Sequence, residues 1–365
     1  MTEQKLYEIA LTLIPNIGDV NGKKLVAYCG GAEAVFCENK KALQRISGMN
    51  DNIIQCIDSK EVMKRAEEEL LFIEKNGIKP LFYLDKDYPK RLQHCHDGPM
   101  MLYYKGNADL NAEKTVGIVG TRNITDYGKY VVEKLVENLS YDNIMIISGL
   151  AYGVDAAAHT AALKYDLATV GVLGHGMQTI YPAENRKLAT NMIEKGGILT
   201  EYVSGTAPFS GNFPKRNRIV AGMVDCLVVV ESALKGGAMI TAEIANSYDR
   251  EVFAVPGKVG DYYSEGCNHL IRTNKANLLV GAEDIRYVMR WDVDTKVVAK
   301  QLRLFRDFSE DEKKVMDVFA KSNVVHLDDI IVGTDLSPSK IASILLSLEF
   351  DGVLTALPGK RYQKL

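Results

Sequence analysis

No run of about 18 consecutive apolar residues occurs in this 365-residue chain, and its opening, MTEQKLYEIALTLIPNIG, lacks a basic segment followed by an unbroken apolar one. A membrane span and a secretory leader are therefore not expected, and the pattern suits a soluble cytoplasmic protein. Cysteine is sparse. The six residues Cys29, Cys37, Cys56, Cys95, Cys226 and Cys267 show no CxxC spacing, and several sit in apolar segments where a reduced thiol packs as a small hydrophobe. No disulfide framework is expected. Excess charge is also absent: the formal net charge is only −3, so any binding of nucleic acid must come from a local basic patch. The dinucleotide fingerprint GxGxxG is missing too. VGIVGTRNITDYG does not match it, and in GVLGHGMQTIYP Gly174 and Gly176 fit while Thr179 stands where the third glycine belongs. NAD binding is disfavoured, and no cofactor is expected.

What is present divides into stretches of different pattern. Residues 1–75 show short helical periodicities broken by Gly and Asn and are expected to form a helical domain. Within it IPNIGDVNGKKLVAYCGG resembles a helix-hairpin-helix, whose hairpin amides can contact a phosphate. Residues 76–290 alternate short apolar runs (KPLFYLD, MMLYYKG, VGIVG, IMIISG, ATVGVLG, GILTEY, CLVVVE, EVFAVPG, ANLLV) with amphipathic helical stretches. Near-continuous Val/Ile/Leu strands of this kind indicate a mostly parallel, doubly wound α/β sheet covered on both faces, with ligands bound at the strands' carboxyl ends. A polar linker is expected over 291–308. From 309 to 365 the order helix, helix, helix, two-strand hairpin describes a winged helix, with Ser309 and Ser337 as N-caps.

Several strand ends carry chemistry. Gly120, Thr121 and Arg122 follow VGIV directly, where glycine admits close backbone approach and the next amides and Arg122 can face an anion. SGLAYGVDAAAH sets Asp155 four residues before His159 on one helical face; without a third ligand the expectation is a helix-start acid and a hydrogen-bonded core histidine. The run His94-Cys95-His96 is assigned no metal, because adjacent side chains diverge. YPAENRKL gathers Asn185, Arg186 and Lys187 at a helix start. The densest cluster is FPKRNRIVAG, with Phe213, Lys215, Arg216, Asn217 and Arg218: an aromatic that can stack, cations for phosphates, and an amide for a base edge or sugar. Three cations so close repel unless an anion or acidic partner is near. Gly236 and Gly237 mark another strand-to-helix turn suited to phosphate, and Lys258 follows a Pro-Gly turn.

In this order, GTR with its YG, SGLAYGVDAAAH, VLGHG with IYPAEN, FPKRNRIVAG, VVVE with GGAMITA, and EVFAVPG with GCNHLI resemble the DNA-processing protein A (DprA/Smf) family over nearly all of residues 78–285. The resemblance implies an extended Rossmann-like sheet flanked by a helical (SAM-like) domain and a winged helix, without catalytic turnover. It implies binding of single-stranded DNA as a homodimer and loading of the RecA recombinase during natural transformation. Carried onto this chain, it puts Arg122, Asn185, Arg186 and the FPKRNR turn in a DNA pocket, with Lys258 beside them. Lys235-Gly236-Gly237-Ala238-Met239 departs from the Ser-Gly-Ser-Leu type sequence of relatives, which removes a hydroxyl contact there. A rival from another class is a nucleotide phosphoribohydrolase of the lysine-decarboxylase-like group, reading GGAMITAE as Gly amides on phosphate with a Glu near the ribose. In the tail the presumed recognition helix SPSKIASILLSLEFDG offers Lys340 against Glu349 and Asp351, so the winged helix is expected to contact mainly protein.

Overall fold

A computed structural model describes residues 3–57, 59–291, 308–320 and 322–365, so the expected linker lies almost wholly outside the described residues. Helices α1 (Glu3–Leu13), α2 (Asp19–Cys29), α3 (Ala32–Cys37), α4 (Lys40–Leu43), α5 (Asp51–Ile57) and α6 (Lys60–Asn76) open the chain. In α6 the buried residues Val62, Ala66, Glu69 and Ile73 recur at three to four positions, forming one stripe, and the helix stops where Gly77 turns left-handed at φ 62°. These helices do not bury their apolar faces on one another alone. Ile9, Leu25, Ile54 and Ile73 share a core with Phe82, Met101 and Tyr103 of the sheet that follows.

That sheet comprises β1 (Lys79–Phe82), β2 (Met101–Gly106), β3 (Thr115–Val119), β4 (Met145–Ser148), β5 (Thr169–Val172), β6 (Gly196–Thr200), β7 (Cys226–Val229), β8 (Glu251–Ala254) and β9 (Asn277–Leu278), ordered β1-β2-β6-β5-β4-β3-β7-β8-β9. All nine arise from the apolar runs read in the sequence. From β6 to β9 every pairing is parallel, whereas β2 runs antiparallel to both β1 and β6. Between them lie α7 (Lys90–Gln93), α8 (Asp126–Leu139), α9 (Val154–Lys164), α10 (Arg186–Lys195), α11 (Asn212–Met223), α12 (Gly237–Ser247), α13 (Glu265–Arg272) and α14 (Ala282–Met289). The period of two explains the layers: Cys226 and Val228 of β7 pack with Val132, Leu135 and Val136 of α8 on one face, while Leu227 and Val229 pack with Ile219 of α11 and Ala242 of α12 on the other. Adjacent strands β3 and β7 thus send their following helices to opposite faces, which opens a crevice beyond their carboxyl ends.

The tail folds as α15 (Glu310–Val318), β10 (Val324–His326), α16 (Leu327–Thr334), α17 (Pro338–Phe350), β11 (Leu354–Leu357) and β12 (Arg361–Lys364). A capping box between Ser309 and Glu312 starts α15. The short strand β10, three residues long and without alternation to betray it, completes the sheet β10-β12-β11 and is an addition to the expected hairpin. No described helix is by itself long and apolar enough to cross a membrane.

Two sets of buried charge tie the outer parts to the sheet. Arg218 on α11 reaches Asp19 at the start of α2 (3.1 Å) and Glu201 just after β6, and Asp19 also accepts the Met100 backbone N–H at 2.8 Å. At the hairpin before α2, whose amides the helix-hairpin-helix resemblance would offer to a phosphate, the Asp19 carboxylate is engaged by the protein itself. On the other side Asp225 takes both Arg91 nitrogens at 2.8 Å and Arg361 of β12 at 2.9 Å; burial alone would push its carboxyl up, but the two guanidiniums hold it below the usual range. Lys360 pairs with Asp249, Arg290 donates to Thr355 and Ala356, and the His326 ring stacks on His94 at 3.8 Å. Lys360 and Arg361 of the wing are therefore spent on acids of the same chain.

Arg218→Ala leaves Asp19 and Glu201, both partly buried, without their shared guanidinium, and burial already lifts the Glu201 carboxyl to about 7. Loss of about 3 kcal/mol of stability is expected in urea unfolding; a loss under about 1 kcal/mol would mean that this triad does not hold α2 to the sheet. The histidine pair gives a pH dependence. Burial, reinforced by His94, Arg250 and Arg361, pulls the His326 imidazole down to about 4, and burial lowers His94 as well, although Asp328 and Asp329 face the pair and oppose both shifts. Both rings are neutral when docked, so protons gained on release favour the undocked winged helix as pH falls from 6.5 toward about 4. Small-angle scattering should show a radius of gyration that grows over that window, and the double variant His94→Gln/His326→Gln should flatten the growth; equal curves would refute it.

Candidate nucleic-acid interface

The crevice between β3 and β7 contains a cavity of about 410 Å³ bounded by the loop after β3, the start of α11, the start of α12 and the loop after β8. Gly120 leads the first loop because a Cβ there would meet Val154 and the Glu231 carbonyl, and the Thr121 N–H donates to that same carbonyl at 2.7 Å. Thr121 and Arg122 are thereby held at the cavity's edge. Across from the β7 end, α12 begins at Gly236 and Gly237 without any side-chain cap; the Gly236 and Met239 N–H groups bond to the Ala233 and Gly236 carbonyls, which leaves the Gly237 and Ala238 amides to face the cavity. A Cβ on Gly237 would touch nothing within 4 Å; packing does not require that glycine, and its effect is to leave the approach to the amides open.

The FPKRNR cluster is divided by the helix that it begins. Residues on α11 advance by about 100° each, so Lys215, Arg216 and Arg218 leave in different directions. Lys215 is solvent-exposed and outside the cavity wall. Arg216 turns inward, lines the cavity and is 4% exposed; Nη1 donates to the Gly149 carbonyl and the Val172 carbonyl, and Nε has no partner. Gly149 is needed here, since a Cβ would fall on the Arg216 guanidinium and on Asp155 Oδ2. Arg218 turns away to Asp19 and Glu201, which corrects its expected place among the DNA contacts: the acidic partner that such a cluster calls for exists, and it belongs to the protein.

The exposed Arg122 guanidinium lies over the Phe213 ring, 5.8 Å from its centroid, and Tyr181 packs against the same ring, tilted by 31° with centroids 5.8 Å apart. This gives a cation and an aromatic ring at the cavity, with the Tyr181 ring, 47% exposed, in the adjoining pocket that Arg122, Phe213 and Arg216 also line. Asn217 lines the wall below. The other expected residues are placed differently. Asn185 is buried and donates to the Leu150 and Ala151 carbonyls, so it shapes the loop beside the cavity and does not reach into it. Arg186 and Lys258 are exposed and line no part of it.

Asp155 and His159, read as helix-start acid and core histidine, go to separate partners. Asp155 accepts the Ala151 N–H, its carboxyl pushed up by burial with Arg216 opposing; His159 Nδ1 pairs with Thr169 Oγ1 at 2.7 Å, and burial draws its imidazole down to about 3. In the HCH run Cys95 is buried, and His94 turns to His326 and Asp328 of the winged helix, the one grouping of metal-ligating type among the described residues. Glu243, which a phosphoribohydrolase would need beside the ribose, pairs with Lys275 at 2.7 Å and lies outside the cavity wall. Lys235, Tyr262 and Tyr263 do line the cavity and were passed over as site residues in the sequence; an aromatic doublet in the Pro/Gly-rich loop after a strand end is the signal that would have found the tyrosines.

The family model for DNA recombination-mediator protein A matches residues 79–290, and that for the DprA winged helix domain matches residues 306–360. Protein Smf of Synechocystis sp. is 31% identical over 99% of each chain. Among solved structures, DNA processing protein A from Streptococcus pneumoniae superposes with a TM-score of 0.67 at 33% identity, covering 77% of this chain and 97% of that one. A structure described as showing the single-stranded DNA binding mode of DNA processing protein A from Helicobacter pylori superposes at 0.54 with 29% identity, covering 59% of this chain and 96% of that one. With the sheet order, the winged helix and the sequence blocks all agreeing, this chain belongs to the DNA recombination-mediator protein A (DprA/Smf) family.

Proposed function

We propose that this chain binds single-stranded DNA without reading its sequence, works as a homodimer, and loads the strand onto the RecA recombinase during DNA uptake and recombination. The observation that carries the reading is the cavity lined by Arg122, Phe213, Arg216 and the uncapped start of α12, with Tyr181 tilted against Phe213 beside it. Phosphate is served by amides and cations, and bases by ring faces that duplex DNA cannot reach without unstacking. We assign the contacts to Gly120, Thr121, Arg122, Phe213, Arg216, Asn217, Gly236 and Gly237, with Asn185 as support and with exposed Lys215, Arg186 and Lys258 adding long-range attraction.

Binding without turnover is favoured because the carboxylate that lines the cavity, Asp155, is buried against Arg216 and not opposed by a second acid. A second copy has a place to dock: the sheet ends at β9, whose edge carries exposed Leu278 and Val280, with exposed Tyr287 on α14. The proposal of RecA loading is supported by family membership and by α17, whose outward face carries Ser339, Ala342, Ser343, Leu346 and Phe350 with the single cation Lys340 and so suits protein better than phosphate.

Fluorescence anisotropy across a salt series tests this. Single strands should bind more tightly than duplex, with log affinity falling against log salt by about 0.7 per phosphate neutralised. Equal or better duplex binding would defeat the proposal. Arg122→Ala should cost on the order of 1–3 kcal/mol of binding with little change in melting temperature, in contrast to Arg218→Ala. Truncation after Phe308 should leave single-strand affinity within about threefold, or ~0.7 kcal/mol; a tenfold loss with the remainder folded by circular dichroism would assign DNA contacts to the winged helix.

A further inference from the structure

The loop after β8 supplies the cavity with rings that the single-strand reading has not used. Tyr262 and Tyr263 both line it. Tyr263 is fixed: its hydroxyl accepts from Asn123 Nδ2 at 2.9 Å, next to Arg122, and its carbonyl accepts the Ser232 N–H at 2.7 Å at the end of β7. Tyr262 stands edge-on to it, with ring centroids 5.1 Å apart at 73°, yet is 63% exposed. A large ring held by its neighbour, bordering a cavity and left uncovered, is costly to hydrate and gains by stacking on a flat apolar partner. The polar groups at the same cavity, Arg122, Lys235 and the first amides of α12, serve an anion. A purely ionic ligand would use only those; one that satisfies both has a planar ring joined to a phosphate.

We infer that Tyr262 is a second base-stacking surface of this site, so that the cavity holds one nucleotide base against the loop after β8 in addition to the base met by Phe213 and Tyr181. This rests on the single-strand reading and refines it. The strand bends into the crevice, its phosphate on the α12 amides and Arg122, with one ring face served from each side of the β3–β7 divergence. Stacking is indifferent to base identity and weakly dependent on salt, so Tyr262 adds to affinity without adding to the salt slope.

Anisotropy with labelled oligothymidylate and with oligonucleotides bearing one abasic position each provides the test. Tyr262→Ala and Tyr262→Leu should each weaken single-strand binding about tenfold at unchanged salt slope, and Tyr262→Phe should stay within twofold of wild type. At one abasic position wild type should lose affinity while Tyr262→Ala loses no more. Single-strand binding by wild type together with a Tyr262→Ala affinity within twofold, or the same abasic penalties in both proteins, overturns the inference and leaves the single-strand reading intact. Failure of the wild type to bind single strands overturns both. The exposed position makes misfolding of these variants readable by circular dichroism, and the Leu variant separates loss of the ring from loss of bulk.

Discussion

Beyond the carboxyl ends of β3 and β7 the chain must leave in two directions, since the helices that follow cover opposite faces of the sheet. Backbone hydrogen bonds bridge the base of that gap, where the Thr121 N–H reaches the Glu231 carbonyl. Beyond it the start of α12 lines the opening, and the glycines at 120, 149, 236 and 237 keep side chains from filling it. Arg216 then sits as a buried cation under the opening. It is held on carbonyls at the ends of β4 and β5, so its charge is fixed in place before any ligand arrives. A preorganised cation of this kind loses little conformational entropy on binding, unlike an exposed lysine.

The same sheet organises the rest of the molecule through buried acids. Asp225, at the start of β7, holds Arg91 from the segment between β1 and β2 and Arg361 from the winged helix. Glu201, beyond β6, shares Arg218 with Asp19 of the helical segment. Removing the shared member of either set, Asp225 or Arg218, leaves like charges facing one another in a partly buried setting, so both contribute to stability. The wing is docked through Lys360 and Arg361, which pair with Asp249 and Asp225.

Much of the fold was legible in residues 76–290 because near-continuous Val/Ile/Leu runs have few other fates than a doubly covered parallel sheet. The cavity was legible in part for a related reason: GTR, FPKRNR and the 236–237 glycine pair each sit where a strand gives way to a helix, and the doubly wound plan brings such ends together. Other placements were not legible. Asn185 looked like a DNA contact because an amide at a helix start serves equally to bind a ligand or to brace a loop, and only the nearness of the Leu150 and Ala151 carbonyls decides between them.

The sequence by itself determined the order and type of nearly every element, the near-neutral charge that makes any anion site local, and the presence of three cations at the head of α11. Where each of the three points was decided by tertiary structure alone. The twist of one helix aims Arg216 under the cavity, Lys215 at solvent and Arg218 at acids from residues 19 and 201, and those acids are about 17 to 200 positions away along the chain. Local sequence carries charge and periodicity; it does not carry which distant carboxylate will be waiting.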